Sequence, residues 1–110
     1  LETLRKISVP SFLTVLKRFG NANPSYLSFP IPGWTLAIDM PANIHNLNNV
    51  LDKLDDLVVS AGGRIYLAKD SRQSSKTFKQ SYPRIKEWLK IKKELDPNDI
   101  FMSDSFKRIL

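Results

Sequence analysis

Three features of this sequence predict an α+β fold, a mostly antiparallel sheet with helices on one face plus a helical C-terminal stretch. Trp34, Leu36, Ile38 and Met40 alternate with Thr35, Ala37 and Asp39, the period-two pattern of a strand with one face packed inward. Leu47, Val50, Leu51, Leu54, Leu57 and Val58 recur at three- and four-residue spacing, with Asp52, Lys53, Asp55 and Asp56 on the other face, as in an amphipathic helix. Ile85, Trp88 and Leu89, continuing toward Leu95, repeat that helical spacing late in the chain.

Taken in order, Ser8 and Pro10 ahead of Phe12, Leu13 and Leu16 predict a helix with a hydroxyl N-cap and a proline in its first turn, ending at Gly20. Pro24, Pro30 and Pro32 remove too many N–H donors for a central strand. Residues 21–33 therefore read as an extended connector with an edge-strand portion over 27–29. The alternating strand follows, then the amphipathic helix, which Gly62 and Gly63 stop. Residues 64–68, with Ile65 and Tyr66, predict a second strand that completes a strand–helix–strand unit. Ser81 and Pro83 open the last long helix and Pro97 ends it, leaving residues 100–110 as a short amphipathic tail that needs a surface to dock on. Trp34, Trp88 and the Phe residues sit at strand and helix spacing and are expected in the core.

Composition narrows the chemistry. With 42% hydrophobic and 25% charged residues in 110, the chain has a globular rather than a disordered balance. No apolar run approaches the ~20 residues that span a bilayer. The absence of Cys and a single His exclude disulfides, thiolate zinc sites, a thiol nucleophile and a histidine metal cluster, so no metal site is expected. The chain starts at Leu1 without an initiator Met or a basic-then-apolar leader, which reads as a cut and hence as a fragment. Net charge is +6, with Lys and Arg against Asp and Glu at 5 to 5 in residues 1–63 and 12 to 6 in residues 64–110. The basic second half would draw polyanions: nucleic acid, anionic lipid or the phosphates of a substrate or cofactor.

Each candidate constellation has an ordinary reading beside it. Asp52, Asp55 and Asp56 are read as the solvated face of a helix, and His45 as exposed or capping. Lys86, Lys90, Lys92 and Lys93 beside Tyr82 and Trp88 would suit nucleic-acid stacking, but a solvated helix face is the preferred reading. No phosphate-cradling glycine loop, nucleophile elbow or metal-ligand spacing is present, so a self-sufficient active site is not expected. The segment Tyr66-Leu-Ala-Lys-Asp-Ser-Arg72 gathers polar groups about the end of an expected buried strand, where open sheets present binding residues, but from spacing alone a solvated loop with Lys69 and Asp70 exposed is the preferred reading.

Two blocks, Leu27-Ser-Phe-Pro-Ile-Pro-Gly-Trp34 and Gly62-Gly-Arg-Ile-Tyr-Leu-Ala-Lys-Asp-Ser-Arg72, resemble signatures of the decaprenylphosphoryl-ribose oxidase family, FAD-linked oxidoreductases of the vanillyl-alcohol-oxidase type. Val15-Leu-Lys-Arg-Phe-Gly20 upstream, and Tyr82-Pro, Glu87-Trp88, Asp96-Pro97, Phe101 and Ser103-Asp104 downstream, keep the family's order, so the resemblance covers residues 12–110. It implies that residues 1–63 are the end of a substrate (cap) domain and residues 64–110 a C-terminal stretch returning to an FAD-binding domain. It also implies oxidation of a carbinol, such as the 2′-hydroxyl of a polyprenylphosphoryl ribose, by hydride transfer to FAD, within a larger enzyme and not by this chain alone.

Carried over residue by residue, the resemblance makes Lys69 the catalytic lysine, a positioned cation or, if buried, a base. Tyr66 and Ala68 become cofactor contacts, and Val15, Lys17, Phe19, Thr35, Ala37 and Lys69 substrate contacts. Thr35 and Ala37 depart from the pattern, since family members carry Asn and Cys there. The implied partners are the sugar or polyprenylphosphoryl-sugar substrate and a short-chain reductase, with self-association of the chain through uncovered apolar surface. The implied location is cytoplasmic or peripheral at the membrane. The rival class is a non-enzymatic basic module binding nucleic acid or anionic lipid.

Overall fold

The computed structural model describes residues 2–7 and 10–110, without the side chains of residues 3 and 7. Among these the chain is α+β: α1 (Glu2–Ile7), β1 (Leu13–Phe19), β2 (Gly33–Asp39), α2 (Leu47–Ser60), a 3₁₀ turn (Leu67–Lys69), α3 (Ser75–Ser81), α4 (Ile85–Leu95) and α5 (Asp104–Ile109). The two strands pair antiparallel, Leu13 opposite Asp39 through Phe19 opposite Gly33. Leu13–Phe19 was expected to be helical. Its β-branched and aromatic residues, Thr14, Val15 and Phe19, favour a pleated surface, and pairing with β2 overrides the weak helical spacing of Phe12, Leu13 and Leu16. Ser8, the expected N-cap, lies outside the described residues.

The alternation read in residues 34–40 is a strand, and α2 has the expected span and stops at the glycines. Gly62 sits at φ 76, a left-handed conformation that disfavours any side chain. Residues 27–29 make no strand. Ser28 N–H donates to Ser25 O in a turn, and the flanking prolines leave no ladder to join. Residues 64–68 also form no strand. They run extended into the 3₁₀ turn, tied by side-chain bonds: Tyr82 Oη donates to Ile65 O at 2.7 Å, and the Arg64 guanidinium donates to the backbone O of Ser28. The strand–helix–strand unit is therefore absent, because the sheet stops at two strands.

In the second half Ser74 caps α3, a helix the sequence reading missed, its Oγ accepting Thr77 N–H at 3.1 Å. Ser81 ends that helix instead of opening the next, which starts at Ile85. Phe78, Tyr82, Ile85 and Ile109 form the buried core, with Leu27, Leu67, Trp88 and Leu89 packed against it. The tail docks here: Ser103 caps α5, Phe106 lies edge-on to Trp88 at 5.2 Å, and Ile109 is buried. Leu95 is 81% exposed, off the buried face of α4 where it was expected. Beyond it Asp96 accepts Lys92 Nζ at 2.9 Å and the N–H groups of Ile100 and Phe101 at 2.8 and 3.0 Å. This bonding, led by Lys92, holds the Asp96 carboxyl below the usual range.

The molecule measures 47 × 32 × 22 Å with a radius of gyration of 15.6 Å, against about 13 Å for a compact domain of this length. Its accessible surface is 8202 Å², roughly 2,000 Å² above the ~6,200 Å² scaling gives for a folded monomer of this mass.

Candidate functional site

The strand register decides which side chains meet. Opposed residues of an antiparallel pair share a face, so Val15, Lys17 and Phe19 stand with Ala37 and Thr35 on one side of the hairpin. Leu16 and Arg18 stand with Leu36 and Trp34 on the other. The five hairpin residues named as substrate contacts are thus on one face, although they were assigned to a helix and a strand.

A cleft of about 410 Å³ opens between β2, α2 and residues 63–66. Leu36, Ile38, Leu51, Leu54 and Val58 form its apolar floor, while Phe19, Phe29 and Tyr66 form an aromatic wall. The Phe19 and Phe29 rings meet edge-to-face at 5.6 Å, and Phe29 and Tyr66 tilt together at 4.9 Å, tying the hairpin to the 64–66 segment. Phe19, Thr35 and Tyr66 are among the lining residues, Phe19 and Thr35 reaching the cleft from the hairpin face opposite Leu36 and Ile38. Val15, Lys17, Ala37, Ala68 and Lys69 lie outside its lining. Lys17 and Lys69 are exposed and make no ion pair among the described residues.

Asp55, at the cleft margin, corrects the reading of a solvated acidic face. It is buried, its Oδ2 accepts Arg72 Nη2 at 2.7 Å, and Arg72 also pairs with Asp52. Burial, the largest influence, outweighs the guanidinium and raises the Asp55 carboxyl above its ordinary value. Asp56 is exposed as expected, and so is His45. Trp34 is 67% exposed, contrary to its assignment to the core, because the two-stranded sheet has nothing over that end.

The basic half spends much of its charge internally. Arg64, Arg72, Arg84 and Arg108 are bonded to backbone or carboxylate oxygens, and Lys92, expected on a solvated face, pairs with Asp96 and Asp99. Tyr82, named beside a cationic stacking surface, is 1% exposed, and burial pushes its phenol up to about 12, keeping the donor to Ile65 protonated. Phe29, Arg64, Ile65 and Asp55 are among the lining residues the sequence reading missed. Phe29 was hidden by the prolines around it, and Asp55 looked no different from its exposed neighbours.

Residues 35–109, more than half of the chain, match the family model of D-arabinono-1,4-lactone oxidase. The chain belongs to the D-arabinono-1,4-lactone oxidase family. It is also 46% identical over 90% of its length to a decaprenylphosphoryl-β-D-ribose oxidase of Mycolicibacterium smegmatis, covering 21% of that protein. An uncharacterized protein in the mprA 5′ region of Streptomyces coelicolor is 40% identical over 86% of the chain, which covers 26% of it. The chain thus spans about a fifth to a quarter of the length of these relatives. Among the described residues no group of His, Cys, Asp and Glu could hold a metal ion, and no helix is long and apolar enough to cross a membrane.

Proposed function

We propose that this chain works within a longer FAD-linked oxidoreductase that oxidises a carbinol, with a polyprenylphosphoryl ribose as the substrate the resemblance favours. The observation that carries the reading is the family match across residues 35–109, which includes most of β2, the cleft-lining 63–66 segment and Lys69. An apolar floor bordered by the rings of Phe19, Phe29 and Tyr66 suits an aromatic ring system, so the residues present fit a flavin. When bound, FAD accepts a hydride from the carbinol carbon.

On this reading the chain's own residues hold and screen the reacting centre. Tyr66 and Ala68 border the flavin, and the Phe19–Phe29–Tyr66 wall excludes water from that side. Lys69 supplies positive charge where negative charge builds on the reduced ring; its exposure favours this role over that of a base. Lys17 would take a phosphate or sugar oxygen, Thr35 offers a hydroxyl, and Val15 and Ala37 shape the same face. Thr35 reaches less far than the Asn that family members carry, and Ala37 offers no thiol. Residues 1–63 form the end of the substrate domain and residues 64–110 the stretch returning to the flavin domain. The Arg72 ion pairs to Asp52 and Asp55 join the two parts. A polyprenyl substrate would place the enzyme at the membrane surface.

The test is to express the full polypeptide carrying this chain, read its visible spectrum for flavin, and follow flavin reduction by polyprenylphosphoryl ribose. Lys69→Ala should slow reduction by about 10²- to 10³-fold with flavin retained, the scale for losing a group that stabilises developing charge. A folded, colourless full-length protein would refute the reading.

A further inference from the structure

Residues 64–73 carry Tyr66 and Lys69 without a strand ladder, so other elements must fix where those side chains stand. One tether is the Tyr82 hydroxyl on Ile65 O. The second lies immediately after Lys69. Asp70, whose side chain is 5% exposed, accepts the N–H groups of Arg72 and Gln73 on Oδ1 at 3.1 and 2.8 Å, closing the turn. Its Oδ2 accepts Arg108 Nη2 at 2.8 Å, while Arg108 Nη1 donates to Gln73 O at 2.5 Å.

Arg108 thus grips two acceptors at once through two different nitrogens of one planar guanidinium, whose fixed fork sets their relative positions in a way a single ammonium does not. It is itself held by α5, whose Ile109 is anchored in the core. Burial opposes the charge on Asp70, but Arg108 and the two N–H donors outweigh it and hold the carboxyl below its ordinary value, so the grip is charge-assisted.

We propose that Arg108 is a positioning residue: its two-pronged contact with Asp70 and Gln73 fixes the turn that carries Lys69 at the reacting centre. This rests on the reading of Lys69 given above and adds what holds it. Core packing sets α5, α5 sets Arg108, and Arg108 sets the Asp70 carboxylate and the Gln73 carbonyl that close the turn directly after Lys69.

The experiment uses the full polypeptide with Lys69→Met, Arg108→Met and the double variant. It reads the rate of flavin reduction by polyprenylphosphoryl ribose, KM, and the affinity of the oxidised flavin for sulfite, which needs no substrate. Lys69→Met should lose about 100-fold in rate and about tenfold in sulfite affinity, because a cation beside the ring stabilises the adduct's charge. Arg108→Met should lose at least about tenfold in rate with KM within about threefold, the signature of misplacement. The double variant should be no worse than Lys69→Met, and added guanidinium should restore rate to Arg108→Met alone.

A flavin-loaded Arg108→Met enzyme that reduces at the parent rate, or losses that multiply in the double variant, overturn the positioning role and leave Lys69's role standing. A parent rate in Lys69→Met removes the Lys69 reading, and the positioning role with it. Should Arg108→Met fail to fold, Asp70→Asn makes the same comparison by removing the charge the guanidinium grips.

Discussion

Residues 13–63 and residues 64–110 carry comparable amphipathic patterns, yet they treat their apolar side chains differently. The second half closes over Phe78, Tyr82, Ile85 and Ile109, though Leu95, Ile100 and Phe101 stay exposed, whereas the first fully buries none of its apolar side chains and leaves Leu13, Leu16, Trp34 and Leu57 each more than half exposed. A two-stranded sheet with one helix cannot cover both its faces. The surplus of roughly 2,000 Å² exceeds the ~800 Å² per partner of a standard interface, which fits a hairpin built to be covered by more protein. The lesson is that a chain can fold around one closed core and still present a candidate site on the part that is not closed.

The largest test of that contrast is a pair of truncations. Phe78→Ala should cost about 3–5 kcal/mol in urea unfolding, whereas the equally aromatic Trp34→Ala should change stability by about 0.5 kcal/mol or less. Equal losses would break the comparison. Next in size, Tyr82→Phe leaves the Ile65 carbonyl without its buried donor and should cost about 1–3 kcal/mol, read by the same unfolding curves.

The two arginine-paired aspartates sharpen the comparison through pH. Asp70 is held below the unfolded value of about 3.9, so its contribution is present above that pH and is lost as pH falls through its folded value. Asp55 is raised, so the folded state holds its proton more tightly and stability declines as pH rises from about 3.9 through the folded value. Urea midpoints should therefore show Asp70→Asn weaker than the parent at neutral pH, converging in acid. Asp55→Asn should be at least as stable as the parent at neutral pH. Deficits of the same sign in both variants would contradict this account. The smallest effect is expected at Leu16→Ser, within about 0.5 kcal/mol for this chain.

Periodicity located β2, α2 and α4 because each buries or half-buries one regular face. It misread β1, where Phe12, Leu13 and Leu16 fit a helix but cross-strand pairing decided, and it misread residues 64–68, where the Tyr82 hydroxyl donates to the Ile65 carbonyl and the Arg64 side chain reaches Ser28 O in place of a neighbouring strand. Such bonds join residues distant in sequence and leave no local pattern. For the site, Phe19, Thr35 and Tyr66, named from the family resemblance, are cleft-lining residues, whereas Asp55 and Arg108 are placed by long-range pairing that no spacing reveals.

The most direct measurement is amide hydrogen exchange on this chain alone and within the full polypeptide. Residues in α3 and α4 should be protected in both, and β1 and β2 strongly protected only in the longer protein. Equal protection of the hairpin in the isolated chain would contradict the claim that its open faces belong under further protein.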